Sequence, residues 1–230
     1  PLHNLQAIVT FGYTGASPAL MGACAQRNIE LSFMSGNGRF LARVSGEEKG
    51  NVTLRKTQYR ISEKKEESVK IAKNFILGKV YNARWVLERA ARDYSMRLDA
   101  ELLKKKSAFL GQSMNKIRQC EDAGTLLGLE GEAASVYFST FDELILQQKE
   151  DFYFHGRNKR PPLDNVNAML SFGYSLLAGM CGGALEAVGL DPYVGFFHTD
   201  RPGRMSLALD LMEEFRSVMV DRFVLTLSLI

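Results

Sequence analysis

Cysteine is scarce in this 230-residue chain, and the three present, Cys24, Cys120 and Cys181, lie far apart with no CxxC pair. That spacing excludes a cysteine zinc ribbon and offers no disulfide framework, so a reducing cytoplasm is the expected compartment. Several enzyme signatures are missing as well. There is no GxSxG elbow, no Walker loop, no GxGxxG turn and no HExxH pair. Gly12-Tyr13-Thr14-Gly15 comes nearest to a phosphate loop, but it is too short and lacks the lysine. No signal peptide opens the sequence, and the apolar stretch 168–190 is interrupted by glycines, Ser171, Ser175 and Glu186. It reads as a buried helix rather than a membrane span, and no membrane partner is expected.

What is present is ordinary in bulk and uneven in detail. A hydrophobic fraction of 46% and a charged fraction of 24% describe a globular chain of one or two domains. The net charge of +3 conceals an asymmetry: residues 49–118 hold 18 Lys/Arg against 7 Asp/Glu. A basic middle suits a polyanion, and the acidic remainder suits cations, although a solvated helix surface gives the same count.

The order of elements points to an α+β fold: a small β-rich N-terminal domain over residues 1–61, then a larger all-α domain over 62–230. LQAIVTF reads as a strand, and Ser17-Pro18 opens a short helix as N-cap and first-turn proline. IELSFM and RFLARV flank Ser35-Gly36-Asn37-Gly38, a hairpin signal. NVTLRKTQYRI is expected to be a further strand or its exit. From Ser62, a candidate cap, Val69, Ala72, Ile76, Val80, Ala83, Leu87 and Ala90 recur at helical steps as one apolar stripe. Residues 94–111 read as a charged helix or flexible segment, and 112–123 as a shorter helix. Pro161-Pro162 stops the chain before a long helix that Asp164 can cap.

The candidate site residues are Glu130, His198, Asp210, Glu213 and Arg216. Glu130 heads the predicted helix GLEGEAASVYFSTFDELI on the face of Ala134, Tyr137, Phe141 and Leu144. A lone carboxylate atop an apolar stripe needs a partner; the alternative is that it only complements a helix dipole. His198 lies in GFFHTDRPGR, beside Phe196 and Phe197, and is a ligand or a packed core imidazole. Asp210 and Glu213, three apart on SLALDLMEEFR, face the same way, opposite an apolar face of Leu207, Ala208, Leu211, Met212, Phe215 and Met219. Alone, that reads as a solvated acidic face. Together, one imidazole and several carboxylates suit Mg²⁺ or Mn²⁺, with the imidazole favouring Mn²⁺. Arg216, one turn on from Glu213, is placed to stabilise developing charge.

Five stretches taken in order carry a resemblance: GASPALMGACAQRNIELSFMSGNGRFLARVSG, GNVTLRKTQY, GLEGEAASVYF, RNKRPPLDNVNAMLSFGYSLL and VGLDPYVGFFHTDRPGRMSLALDLMEEFR. The chain resembles the CRISPR-associated integrases of spacer acquisition, the Cas one family, and in wording the subtype C branch of type I systems. The resemblance implies a β-rich domain followed by an α-helical catalytic domain. It implies a homodimer that joins the small Cas two dimer and, in this branch, a Cas four nuclease. It puts the family's metal-binding glutamate at Glu130, its histidine at His198 and its last acidic ligand at Glu213, where many members have aspartate, with Asp210 in support. Asn167 matches a family polar position, whose plain alternative is a helix-packing hydrogen bond. Against that family the chain reads as trimmed at both ends, since it begins at Pro1 without methionine and stops inside the apolar run VLTLSLI.

The function so implied is a metal-dependent DNA endonuclease and integrase, joining the 3′-hydroxyl of captured double-stranded DNA to a CRISPR repeat. Basic residues from Arg55 to Arg118, with Arg157, Lys159 and Arg160, are candidate phosphate contacts. Two other readings stay open: a non-catalytic DNA-binding scaffold, and a stand-alone nuclease on branched DNA.

Overall fold

The computed structural model describes residues 2–46 and 51–227. After a short 3-10 turn, β1 (Ala7–Phe11) leads into α1 (Pro18–Gln26), β2 (Glu30–Met34) and β3 (Phe40–Val44). Ser17 caps α1 by accepting from the Leu20 amide, with Pro18 in the first turn. β2 is the middle strand, parallel to β1 and antiparallel to β3, with Leu31 opposite both Ile8 and Val44. A small core of Cys24, Ile29 and Leu31 closes this unit, and Gly38 takes the positive φ of the hairpin turn.

Two clasps tie this unit to the helices. Arg43 on β3 donates to the Gly179 carbonyl and pairs with Glu186, both on α6 (Asn165–Ala187). Phe11 on β1 meets Phe172 of the same helix, ring centroids 5.9 Å apart.

The segment expected as a further strand is helical instead. α2 (Val52–Ser62) starts at Asn51, whose side chain accepts from the Leu54 amide. The β-branched Val52, Thr53 and Thr57 suggested a strand, but the cap and tertiary packing decide the outcome. Ser62 therefore ends α2 rather than capping the next helix. α3 (Lys65–Asp93) begins without a side-chain cap, although Glu66 and Glu67 still sit in its positive first turn. The predicted stripe is buried along α3 from Val69 to Leu87, while Ala90 is half-buried and packs against the core.

Residues 94–123 also differ from expectation. Up to Ala123, where the next helix starts, they hold one helix, α4 (Ala100–Gln119), capped by Asp99 and running unbroken through Gly111. Leu103, Leu110, Met114 and Ile117 bury one side of it. α5 (Ala123–Phe138) is capped by Asp122, so Glu130 lies in mid-helix and not at a helix start. The chain then leaves the helix in tight turns, and Phe141, Leu144 and Ile145 plug the core beside Tyr137 and Phe154. α6 follows, capped by Asp164; it is long and apolar enough to span a membrane by length and composition, yet Val166, Leu170, Leu177 and Leu185 are buried in the core. α7 (Ser206–Phe215), a π-helical turn (Arg216–Asp221) and α8 (Arg222–Leu227) complete the described fold.

α2 holds the loop that precedes His198. Gln58 is 3% exposed and spends its whole amide on that loop. Its Nε2 donates to the carbonyls of Asp191 and Val194 at 2.7 and 2.9 Å, and its Oε1 accepts from the Asp191 amide at 2.9 Å. Replacing it with leucine removes the partner of three part-buried backbone groups, at a cost of up to about 1–3 kcal/mol for each group that water does not reach. Gln58→Leu should therefore lower the midpoint of denaturant unfolding and speed amide exchange at Asp191, read by mass spectrometry; unchanged exchange would show the loop is held by other means.

Candidate active site

Five segments meet at the site. α7 brings Asp210 and Glu213, and the π-helical turn begins with Arg216. α5 brings Glu130, α3 brings Lys79, and the loop before α7 brings His198. Gly78 lets α7 come close to α3, because a Cβ there would stand 2.9 Å from Cγ of Glu214. One turn on, Asn82 donates to the Glu214 carbonyl at 2.7 Å, where α7 passes into the π-helical turn.

Asp210 and Glu213 do not form the solvated face that the helix taken alone suggested. Asp210 is 0% exposed and Glu213 4%, whereas Phe215 and Met219, expected on the buried side, are 37% and 47% exposed. Burying carboxylates demands full compensation, and each finds a different kind.

Asp210 is compensated by backbone. Its Oδ2 accepts from the amides of Phe196 and Phe197 at 2.7 and 2.9 Å, and its Oδ1 from the amide of His198 at 2.9 Å. The His198 ring then donates from Nδ1 to the same Oδ1 at 2.7 Å, so Nε2 is the ring nitrogen that Asp210 does not engage. Gly195 makes room for this loop, since a Cβ there would lie 2.9 Å from the His198 carbonyl and 3.0 Å from Oδ2 of Asp210.

Glu213 is compensated by cations. Lys79 Nζ lies 2.7 Å from its Oε2 and also pairs with Glu130. Arg216 donates from one nitrogen to both oxygens of Glu213, at 3.0 and 3.1 Å. Burial opposes ionisation of Glu213, but Lys79 and Arg216, helped by His198, hold its carboxyl below the usual range. Arg216 stacks on Tyr174, 4.4 Å from the ring centroid.

Beside Glu130 opens a groove of about 530 Å³ lined by Lys79, His155, Arg157, Lys159 and Arg216 over Phe138 and Phe154. Partial burial and the neighbouring Arg216 and Arg157 lower the Lys159 pKa, the mark of positive charge crowded into one place. Arg157 is fastened to Asn167 Oδ1 at 2.7 Å and to Ser171 at 3.1 Å. Asn167, fully buried, donates in turn to the Gly156 carbonyl and to Asp164, so it pins the groove-lining loop to α6 through helix-packing hydrogen bonds.

Sequence comparison supplies the context. The profile of CRISPR associated protein Cas1 matches residues 1–228. The chain belongs to the Cas1 family. It is 52% identical over 231 residues to CRISPR-associated endonuclease Cas1 2 of Rhodospirillum rubrum and 47% identical over 227 residues to CRISPR-associated endonuclease Cas1 1 of Chlorobaculum tepidum. Each comparison covers 99% of this chain and 66% of the relative, so the chain spans just under two thirds of those proteins. Among solved structures it is similar to a Cas1 protein from Thermotoga maritima, with TM-score 0.76, 25% identity and coverage of 99% of this chain and 69% of that one. It is also similar to a casposase bound to integration product, with TM-score 0.76, 30% identity and coverage of 96% and 60%. These likenesses place the mixed architecture, a small sheet with a larger helical part, within the Cas1 fold.

Several residues of this candidate site escape a reading by composition or motif. Lys79 and Asn82 lie among the stripe positions Ile76, Val80 and Ala83 of α3, and a polar residue inside a buried arc was the available signal. Asp221 gave none, because the π-helical turn that aims it inward has no sequence signature. It is buried at 1% exposure, accepts from the Tyr174 hydroxyl, and burial raises its pKa to about 6 against the favourable pull of that bond and of Arg216. A carboxyl raised on folding binds its proton more tightly in the native state. Its contribution is therefore full below the unfolded value near 3.8 and lost as pH rises through about 6. The loss is on the order of 3 kcal/mol. Asp221→Asn should flatten the pH dependence of unfolding stability between about 4 and 6, measured by denaturant titration at several pH values; an unchanged slope would assign it to other groups.

Proposed function

We propose that this chain carries the catalytic centre of a divalent-metal-dependent DNA endonuclease and integrase of CRISPR adaptation. The observation that carries the reading is the convergence of Glu130 and Glu213, from two helices, on the Lys79 ammonium, with an imidazole, His198, whose Nδ1 is engaged by Asp210 and whose charge is felt by Glu213. Among the described residues no three His, Cys, Asp or Glu side chains stand at the spacing of a formed metal site. The donor chemistry nonetheless fits: two carboxylates that already share a positive charge, and one free imidazole nitrogen, suit Mg²⁺ or Mn²⁺.

In this proposal Glu130, Glu213 and His198 Nε2 hold the ion. Such an ion, when bound, polarises a phosphoryl oxygen and makes a hydroxyl nucleophilic at neutral pH. Asp210, with its oxygens given to three amides and the His198 ring, orients the imidazole and does not ligate. Arg216 fixes Glu213 and adds positive charge at the mouth of the groove. Lys159 and Arg160 receive phosphates, and the groove directs the scissile bond toward Glu130. A 3′-hydroxyl of captured DNA attacks a phosphodiester of the repeat, one P–O bond forms as another breaks, and the displaced strand leaves as an alcohol. With water in place of the hydroxyl, the same centre cleaves.

We assign the chain to the subtype C branch on the wording of its motifs and infer a homodimer that works with Cas2. Cas4 is a further expected partner, since relatives 34% and 35% identical are Cas4/Cas1 fusions. The three buried, free cysteines suit a reducing cytoplasm.

Joining of a labelled fragment into a repeat-bearing plasmid with Mn²⁺ and Cas2 tests the reading. Glu130→Ala should bring joining to background while DNA binding in a filter assay persists. Asp210→Asn should lose about 10–100-fold, the usual toll of removing a partner that orients a ligand. Full joining by Glu130→Ala would overturn the assignment, and equal losses of stability and DNA binding in that variant would favour the scaffold.

A further inference from the structure

Lys79 stands where two carboxylates meet. Its ammonium contacts Glu130 from α5 and Glu213 from α7, and its side chain is only 13% exposed. Nothing in the fold of α3 requires a charge there: the residues flanking it on the buried arc, Ile76, Val80 and Ala83, are apolar and packed. Two carboxylates aimed at one point repel unless a positive charge lies between them. A lysine supplies that charge as a compact point on a flexible four-carbon stem, which can withdraw as a guanidinium fork cannot. The groove of about 530 Å³ beside Glu130, which Lys79 itself lines, gives the stem somewhere to go.

We infer that Lys79 is a resident placeholder cation, holding Glu130 and Glu213 on a shared point until a divalent ion displaces it into the groove. The inference rests on the metal-binding reading above and adds what that reading lacks, the reason two acids stay together before the ion arrives. It makes metal binding an exchange of one cation for another. Lys79 is thus a positioning residue whose presence weakens the affinity it prepares for. Once displaced, its ammonium joins Arg157 and Lys159 on the groove wall, so loading the ion also adds a positive charge where a phosphate would lie.

Direct Mn²⁺ titration of the protein, by calorimetry and by loss of the free-ion paramagnetic resonance signal, separates this from a purely structural role. Lys79→Met keeps the shape and removes the competitor, so its Mn²⁺ dissociation constant should tighten by roughly tenfold or more, since it leaves Glu130 unneutralised and Glu213 paired with Arg216 alone. Lys79→Arg should bind Mn²⁺ more weakly than wild type, because its fork holds both acids and cannot withdraw. In the absence of metal Lys79→Met should melt below wild type, and saturating Mn²⁺ should close that gap. The opposite order, with methionine weakest and arginine equal to wild type, would overturn the placeholder role and leave Lys79 as a strut. Glu130→Ala separates the two claims: loss of Mn²⁺ binding there, with no gain in Lys79→Met, sinks the placeholder alone. Equal Mn²⁺ binding by wild type and Glu130→Ala sinks the metal centre and the placeholder together.

Discussion

Asp210 and Glu213 are both withdrawn from water on one short helix, α7, and most of the surrounding structure serves to make that burial tolerable. An uncompensated buried charge costs several kcal/mol, more than a folded domain of this size can lose at two positions. The two acids are therefore satisfied separately. Asp210 gathers three amides and a ring nitrogen into one knot, and that knot gives the His198 loop its shape. Glu213 draws Lys79 from α3 and Arg216 from the π-helical turn, and through Lys79 it is linked to Glu130 on α5. Packing of α7 against α3, the close approach at Gly78 and the Asn82 bond to Glu214 follow from the same need.

The division of roles has a chemical consequence. An acid whose lone pairs are spent on backbone amides is a poor metal ligand but a good orienting group. An acid held by a lysine ammonium on a flexible stem can exchange it. Asp210 is the first kind and Glu213 the second, although the two are three residues apart on the same helix. The extra methylene of Glu213 carries its carboxylate outward to the point that Glu130 also reaches, while the shorter Asp210 stays inside the loop. The remoter connections run through α2 and α6: Gln58 holds the approach to His198, and Asn167 holds the loop that carries Arg157.

Much of the fold was legible because it depends on local signals. Ser17-Pro18, Asp164 after Pro161-Pro162, and the stripe on α3 each specify their element through neighbouring residues. The failures have equally specific causes. Thr53 and Thr57 favour strand by propensity, but Asn51 nucleates a helix that tertiary packing then keeps. The face of α7 taken alone reads as solvated because hydrophobic periodicity assumes that charge points to water, and here the charge points inward to partners supplied by α3 and by a loop. No local pattern announces such partners. Lys79, Gln58 and Asp221 share that difficulty: each is defined by what it meets more than 40 residues away along the chain. The candidate ligands Glu130, His198 and Glu213 came instead from ordered motifs; the structure brings Glu130 and Glu213 together at Lys79 and ties His198 to Asp210, on the same helix as Glu213.

The central claim is that Glu130, Glu213 and His198 share one ion. A crystal structure with Mn²⁺, phased at the manganese absorption edge, tests it most directly. The account predicts a single anomalous peak within ligand distance of both carboxylates and of His198 Nε2, with Asp210 still bound to its three amides and Lys79 withdrawn. A peak elsewhere, or none near Glu130 at saturating Mn²⁺, would contradict it.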